Sequence, residues 1–122
     1  MSFNVLVADS SSTTRENILR ALIQYGVGAV AGDGETAINL FSRDPFDLVL
    51  IYWNLETESG RNVVGEFRKA NHDVPIIALV NETEQQRETE QVKKGASDVL
   101  VMPFTMDCFW KKLDRFVSAK TN

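Results

Sequence analysis

The sequence of 122 residues has little of the cysteine and histidine that stabilise folds through disulfides or bound metal ions. It contains one cysteine and one histidine, so it can form neither an internal disulfide nor a Cys/His zinc cluster. It also lacks any apolar run near the ~20 residues that a membrane-spanning helix needs. Residues 1–4 (MSFN) have neither the basic nor the apolar region of a secretory signal. We therefore expect a cytoplasmic domain with no metal and no membrane contact.

The chain is also short of basic residues. Lys and Arg number 13 against 17 Asp and Glu, which gives a formal net charge of −4. A general nucleic-acid binder needs a basic face to neutralise phosphates, so we expect no nucleic-acid partner. With 43% hydrophobic and 25% charged residues, the composition is that of an ordinary globular domain. The length fits a single domain over residues 1–122, with a C-terminal tail at 118–122.

Short apolar runs alternate with amphipathic runs along the whole chain. The clearest strand is 48–52 (LVLIY), an unbroken apolar run typical of a parallel strand that is buried on both faces. Other strands are predicted at 5–8, 27–31, 75–80 and 99–101. Amphipathic segments predict a helix after each strand, with cores at 18–23, 37–41, 63–67, 81–94 and 106–117. The segment 81–94 has almost no apolar face.

Five strands that alternate with five helices predict right-handed crossovers and a parallel sheet. At this length the natural solution is a flavodoxin-like, doubly wound α/β fold with three layers and the strand order 2-1-3-4-5. In such sheets the functional site lies beyond the carboxyl ends of the strands. The candidate site residues therefore lie at 9–12, 52–59, 80–82 and 102–103.

Four segments resemble motifs of response-regulator receiver domains from two-component signalling. They are residues 5–10 (VLVADS), 47–55 (DLVLIYWNL) with Gly60, 75–79 (PIIAL) and 95–104 (GASDVLVMPF). The segments occur in the order and at the spacings of that family and extend over essentially the whole chain. The resemblance implies a receiver fold and a part in phosphorelay signal transduction.

The resemblance also implies which positions carry chemistry. In the family, an aspartate that ends the third strand accepts a phosphoryl group from a histidine kinase, and it holds Mg²⁺ together with two acidic residues that follow the first strand. A Ser or Thr at the end of the fourth strand and a Lys before the Pro-Phe of the fifth bind the phosphoryl oxygens. The matching positions here hold Asp9, Ser10, Tyr52, Val80 and Met102, and the aromatic switch position of the fifth strand holds Val99.

These replacements remove the groups that phosphoryl transfer to a carboxylate requires. Tyr52 offers only a phenol, whose ordinary pKa of about 10 makes it a poor nucleophile. Mg²⁺ prefers one or two carboxylates with substrate phosphates, and Asp9 stands almost alone. We expect Val80, Met102 and the Tyr52 ring to pack together and fill the pocket, with weak or no Mg²⁺ binding and no cofactor. For Asp9 we prefer a structural role as a helix-entry cap over a functional relic.

The remaining sequence signals concern partner surfaces. Receivers often bind partners, or form homodimers, through the face made by the fourth helix, fifth strand and fifth helix. The candidate residues on that face are Glu84, Glu88, Lys94, Trp110 and Lys111. We also expect Trp53 to be partly exposed beside the pocket, because an aromatic side chain at a loop mouth suits recognition.

We interpret the chain as a pseudo-receiver that is not an enzyme and that binds a signalling protein, an output domain or a kinase domain. One alternative is a receiver that is phosphorylated on a shifted acceptor. Another is a flavodoxin-like binder of flavin or another small molecule, which is weakened because the loop after the first strand has no glycine. In the resembled family the bond before the proline of the fifth strand is often cis, so the peptide bond before Pro103 is a candidate cis bond.

Overall fold

The computed structural model of the chain describes residues 3–23, 25–83, 90 and 95–121. Five strands form one parallel sheet in the order β2-β1-β3-β4-β5. The strands are β1 (Asn4–Ala8), β2 (Val27–Ala31), β3 (Leu48–Tyr52), β4 (Ile76–Asn81) and β5 (Asp98–Met102). The helices of the described residues are α1 (Ser12–Leu22), α2 (Gly34–Arg43), α3 (Val63–Ala70) and α4 (Met106–Thr121).

The predicted parallel sheet and its strand order are confirmed, and two other expectations change. Five helices are predicted, whereas the described residues contain four, and the predicted helix at 81–94 falls mostly outside the described ranges. The last helix continues into the predicted tail at 118–122, because α4 ends at Thr121. Residues 118–121 (SAKT) contain no Gly or Pro that would stop a helix. Within the described part of the chain, no helix is long and apolar enough to cross a bilayer.

The sheet is buried on both faces, as the unbroken apolar run of β3 predicts. Leu48 and Leu50 belong to the core cluster that contains residues of α1 and α4. Val49 and Ile51 belong to the cluster that contains residues of α2 and α3. All four are fully buried, since successive side chains of a strand point to opposite faces and helices cover both.

A serine defines where α1 begins. Ser11 has an extended backbone, and its hydroxyl oxygen accepts a hydrogen bond from the backbone N–H of Thr14 at 3.2 Å. This cap leaves Asp9 and Ser10 in the loop between β1 and α1. The site loop is therefore fixed at its helical end by a local hydrogen bond.

Arg68 joins the end of α3 to the segments that precede β4 and β5. Its Nε donates to the carbonyl oxygen of Gly95 at 2.7 Å, and its Nη1 donates to the carbonyl oxygens of Val74 at 2.6 Å and Asn71 at 3.2 Å. Its Nη2 donates to the hydroxyl oxygen of Ser97 at 3.3 Å. Burial lowers the pKa of the guanidinium from its ordinary value. One side chain thus satisfies three backbone carbonyls that no strand partner reaches.

Candidate functional site

A cleft of about 360 Å³ lies at the carboxyl ends of the central strands. Its described lining residues come from the loop after β1, the first turn of α1 and the last residues of β3, β4 and β5. They are Asp9, Ser10, Ser11, Thr14, Tyr52, Asn81 and Met102. The structure therefore brings together four of the five residues predicted for the degenerate pocket.

Val80 is the predicted pocket residue that does not line the cleft. Met102 pairs with Asn81 in the β4–β5 register, whereas Val80 pairs with Val101. Paired residues share a face of the sheet and successive residues alternate, so Asn81 rather than Val80 lies beside Met102. Met102 packs against the cluster that contains residues of α1 and α4, whereas Val80 belongs to the cluster against which Tyr52 packs. Tyr52 therefore packs on the cluster of Val80, as expected, but Met102 packs on a different cluster, so the three side chains do not form one plug.

Trp53 is a core residue, so the expectation of partial exposure is also wrong. Only 8% of it is exposed, and its cluster includes Val80 and Val99. The backbone N–H of Trp53 donates to the carbonyl oxygen of Leu79 at 3.0 Å. The ring centroids of Trp53 and Tyr52 lie 6.0 Å apart. Because β4 supplies both the backbone bond and the packing, the indole turns inward instead of lining a loop mouth.

Asp9 is the single charged side chain among the described residues of the cleft. It is 5% exposed, and its Oδ1 accepts the backbone N–H of Ser11 at 2.8 Å. Nη1 of Arg15 donates to the backbone carbonyl of Asp9 at 2.7 Å. Burial raises the pKa of Asp9, and the Ser11 hydrogen bond and the Arg15 charge offset this only in part. Asp9 is not the N-cap of α1, which is Ser11, but it shapes the loop that leads to the cap.

The raised pKa of Asp9 predicts that Asp9→Asn stabilises the domain at neutral pH. A carboxylic acid whose folded pKa is raised contributes stability that is fully present below its ordinary value of 3.8 and lost as pH rises through the folded value. Asparagine keeps an oxygen for the Ser11 N–H and carries no charge at any pH. We expect a gain of about 1 kcal/mol in unfolding free energy at pH 7 that shrinks towards zero in acid. Urea unfolding of both proteins across pH checks this, and a difference that does not change with pH contradicts it.

The donor set of the cleft does not fit Mg²⁺, the metal that the resemblance implies. This ion favours carboxylate oxygens and phosphates in an octahedral arrangement. Here one carboxylate is present, one of its oxygens already accepts the Ser11 N–H, and burial disfavours its charged form. Ser10 and Tyr52 stand where the resemblance implies the other carboxylates. Tyr52 adds a phenol hydroxyl, and Met102 adds a thioether, which hard cations bind poorly.

Of the described lining residues, Thr14 alone lies outside the ranges predicted for the site, whereas Ser11 and Asn81 lie inside those ranges but were not assigned to the pocket. Asn81 follows Val80 in sequence. The alternation of side chains along β4 and β5 is the signal that would have placed Asn81, and not Val80, on the face of Met102. Thr14 lies in the first turn of α1, and its backbone N–H is held by the Ser11 cap. The Met102–Pro103 peptide bond is cis, as expected, and it follows directly on the β5 residue of the cleft.

The predicted partner surface is only partly within the described residues. Glu84, Glu88 and Lys94 lie outside them. Lys111 is exposed on α4. Trp110 is half-buried, and its indole N–H donates to the backbone carbonyl of Ala21 in α1 at 3.1 Å. That bond accounts for the position of the Trp110 ring between α1 and α4. The role of the predicted face in partner binding stays a prediction.

Comparison with known proteins identifies relatives over almost the whole chain. A family model described as "Response regulator receiver domain" matches residues 5–114. Chemotaxis protein CheY-3 of Vibrio cholerae is 25% identical over 118 residues, covering 93% of this chain and 91% of that protein. The phosphate regulon transcriptional regulatory protein PhoB of Escherichia coli is 27% identical over 108 residues, covering 86% of this chain but 47% of PhoB. The receiver domain of the Francisella response regulator 1452 superposes with a TM-score of 0.82 at 25% identity, covering 96% of this chain and 98% of that one.

Proposed function

Because the chain belongs to the response regulator receiver domain family of two-component signalling, we propose that it is a pseudo-receiver. In this proposal the domain is a cytoplasmic, non-enzymatic interaction module whose activity does not depend on phosphorylation. Its partner is a signalling protein, or an output or kinase domain of the same pathway. The match to PhoB covers only 47% of that protein, so relatives of this domain occur within longer regulators.

Tyr52 is the observation that carries the proposal. It is the last residue of β3 and lines the cleft, at the position where the family has its acceptor aspartate. A phenol, whose ordinary pKa is about 10, is a poor acceptor for a phosphoryl group. Met102 supplies no cation for the phosphoryl oxygens, and Asp9 alone supplies little for a metal. The nucleophile, the clamp and the metal site are all missing from the described lining.

The residues at the Ser/Thr position of the fourth strand and at the switch position of the fifth strand support phosphorylation independence. Val80 and Val99 are 0% and 2% exposed and share one apolar cluster with Trp53. A phosphorylation switch needs a group that bonds the phosphoryl oxygens in one state and loses that bond in the other. Neither valine can make such a bond. In the proposal, the population of states is therefore set by a protein partner, with the face made by the 81–94 segment, β5 and α4 as its docking surface or homodimer face.

Treatment with Mg²⁺ and acetyl phosphate tests the proposal directly. We expect the mass of the intact protein to stay unchanged, while a receiver that has an acceptor aspartate gains one phosphoryl group in parallel. Beryllofluoride, which mimics the bound phosphoryl group, is expected to leave the backbone amide resonances of Ser10 and Trp53 unchanged. Stable incorporation of one phosphoryl group contradicts the proposal. Peptide mapping of such a product would then support the alternative of a shifted acceptor.

A further inference from the structure

A second groove adjoins the cleft, between α1 and the segment that follows β5. Its volume is about 400 Å³, and it shares Thr14, Asn81 and Met102 with the cleft. Its further lining residues are Asn17, Pro103, Phe104 and Met106. Like the cleft, it lies beyond the carboxyl ends of the strands, where open α/β sheets bind ligands.

The described lining of this groove carries no charge. In a chain with 25% charged residues, all seven lining side chains are hydroxyl, amide, thioether, aromatic or aliphatic. The α1 side presents Thr14 and Asn17, and the opposite side presents the apolar side chains of Met102, Phe104 and Met106. Met106 is 41% exposed, so apolar surface at the groove is open to solvent.

Phe104 provides a fixed aromatic wall. Its ring centroid lies 5.0 Å from that of Phe109, a fully buried residue of α4. An aromatic ring that is held from behind offers its other surface to a flat apolar group. The amide of Asn17 is exposed on the facing helix and can both donate and accept hydrogen bonds.

We propose that the groove binds an uncharged small molecule with a flat apolar ring and an amide-like edge. A charged ligand would lose hydration and meet no opposite charge on the described lining. The volume lies within the range of about 300–1,000 Å³ typical of small-molecule sites. The inference does not depend on the absence of phosphorylation, because the groove extends away from Asp9 and Tyr52.

Benzamide and benzoate are matched probes for this site, since they share a ring and differ in charge. We expect benzamide to shift the side-chain amide resonances of Asn17 and Asn81 in ¹⁵N-labelled protein, saturably and in the millimolar range. Benzoate is expected to bind at least ~10-fold more weakly. The backbone amide of Ser10 reports on the cleft beside Asp9, and that of Ala29 reports on a distant strand. Equal binding of both probes, no saturable shift, or shifts confined to Ser10 or Ala29 would overturn the proposal.

Three variants separate specific binding from non-specific apolar association. Met102→Lys places a cation in the groove and is expected to reverse the preference, so that benzoate binds more tightly than benzamide. Met102→Leu keeps the volume without a charge and is expected to keep the native preference. Asn17→Leu alters only an exposed side chain of α1 and is expected to weaken benzamide severalfold. An unchanged benzamide affinity in Asn17→Leu would count against the proposed amide contact, whatever happens at Met102.

Discussion

The double variant Ser10→Asp, Tyr52→Asp is expected to bind Mg²⁺ at least ~100-fold more tightly than the native chain, a difference of about 2.7 kcal/mol. Both side chains line the same cleft as Asp9, so the variant places three carboxylates around one space. Carboxylate oxygens are the ligands that this ion prefers. Val80 needs no change, because it faces the core and does not line the cleft. Isothermal titration calorimetry measures the affinity.

Ser10→Asn, Tyr52→Asn is the matched control for this variant. It has the same side-chain sizes without the negative charges and is expected to behave like the native chain. Mg²⁺ should also raise the Tm of the Asp variant, because the ion binds only the folded state and relieves repulsion among its carboxylates. The Tm of the Asn variant should not respond. A folded Asp variant that binds no Mg²⁺ would show that the cleft is not the counterpart of a receiver site.

Arg68→Met is expected to lower the unfolding free energy by about 3 kcal/mol, because it removes hydrogen bonds from a charged donor and leaves carbonyls without it. Gly95 and Val74 accept the two shortest of these bonds, at 2.7 and 2.6 Å. Methionine retains the apolar stem and removes only the guanidinium. Urea unfolding followed by far-UV circular dichroism measures the change.

Arg43→Met is the control for the Arg68 variant. Each arginine lies in the last turn of its helix, but Arg43 makes an exposed ion pair with Asp44 at 3.6 Å. Such a pair contributes about 0–1 kcal/mol, so this variant is expected to be nearly neutral. Equal losses in the two variants would mean that helix-end charge matters and that the carbonyl contacts of Arg68 do not.

The strand pattern could be read from the sequence because it depends on local properties. An unbroken apolar run such as 48–52 can satisfy both faces of a sheet only as a central parallel strand. The observed bounds of β2 and β3 coincide with the predicted ones. Prediction did worse at helix ends: α4 extends beyond the expected limit to Thr121, since nothing at 118–121 breaks a helix. At the start of α1, Asp9 is the helix-entry cap expected from the sequence, whereas in the structure Ser11 accepts the Thr14 N–H.

Which side chains share the cleft depended on register, which is a property of pairs of strands. Motif spacing placed Val80 in the pocket, but the pairing of Asn81 with Met102 puts Asn81 there and turns Val80 to the core. The burial of Trp53 could not be predicted either, because Trp53 packs with residues of β4 and β5 that are distant in sequence. The second groove could not be predicted from the sequence, because α1 and the segment after β5 meet only in the folded chain.

The sequence by itself determined the parallel sheet, and it put Ser10 and Tyr52 where the resembled family has a second acidic residue and the acceptor aspartate. These properties follow from residue identity and from the alternation of side chains between the two faces of a strand. Only the tertiary structure decided that burial raises the pKa of Asp9 and that Trp53 is a core residue. It also decided that a groove with an uncharged described lining lies beside the cleft. Burial and neighbours across the sheet set those properties, and residues far apart in sequence supply both.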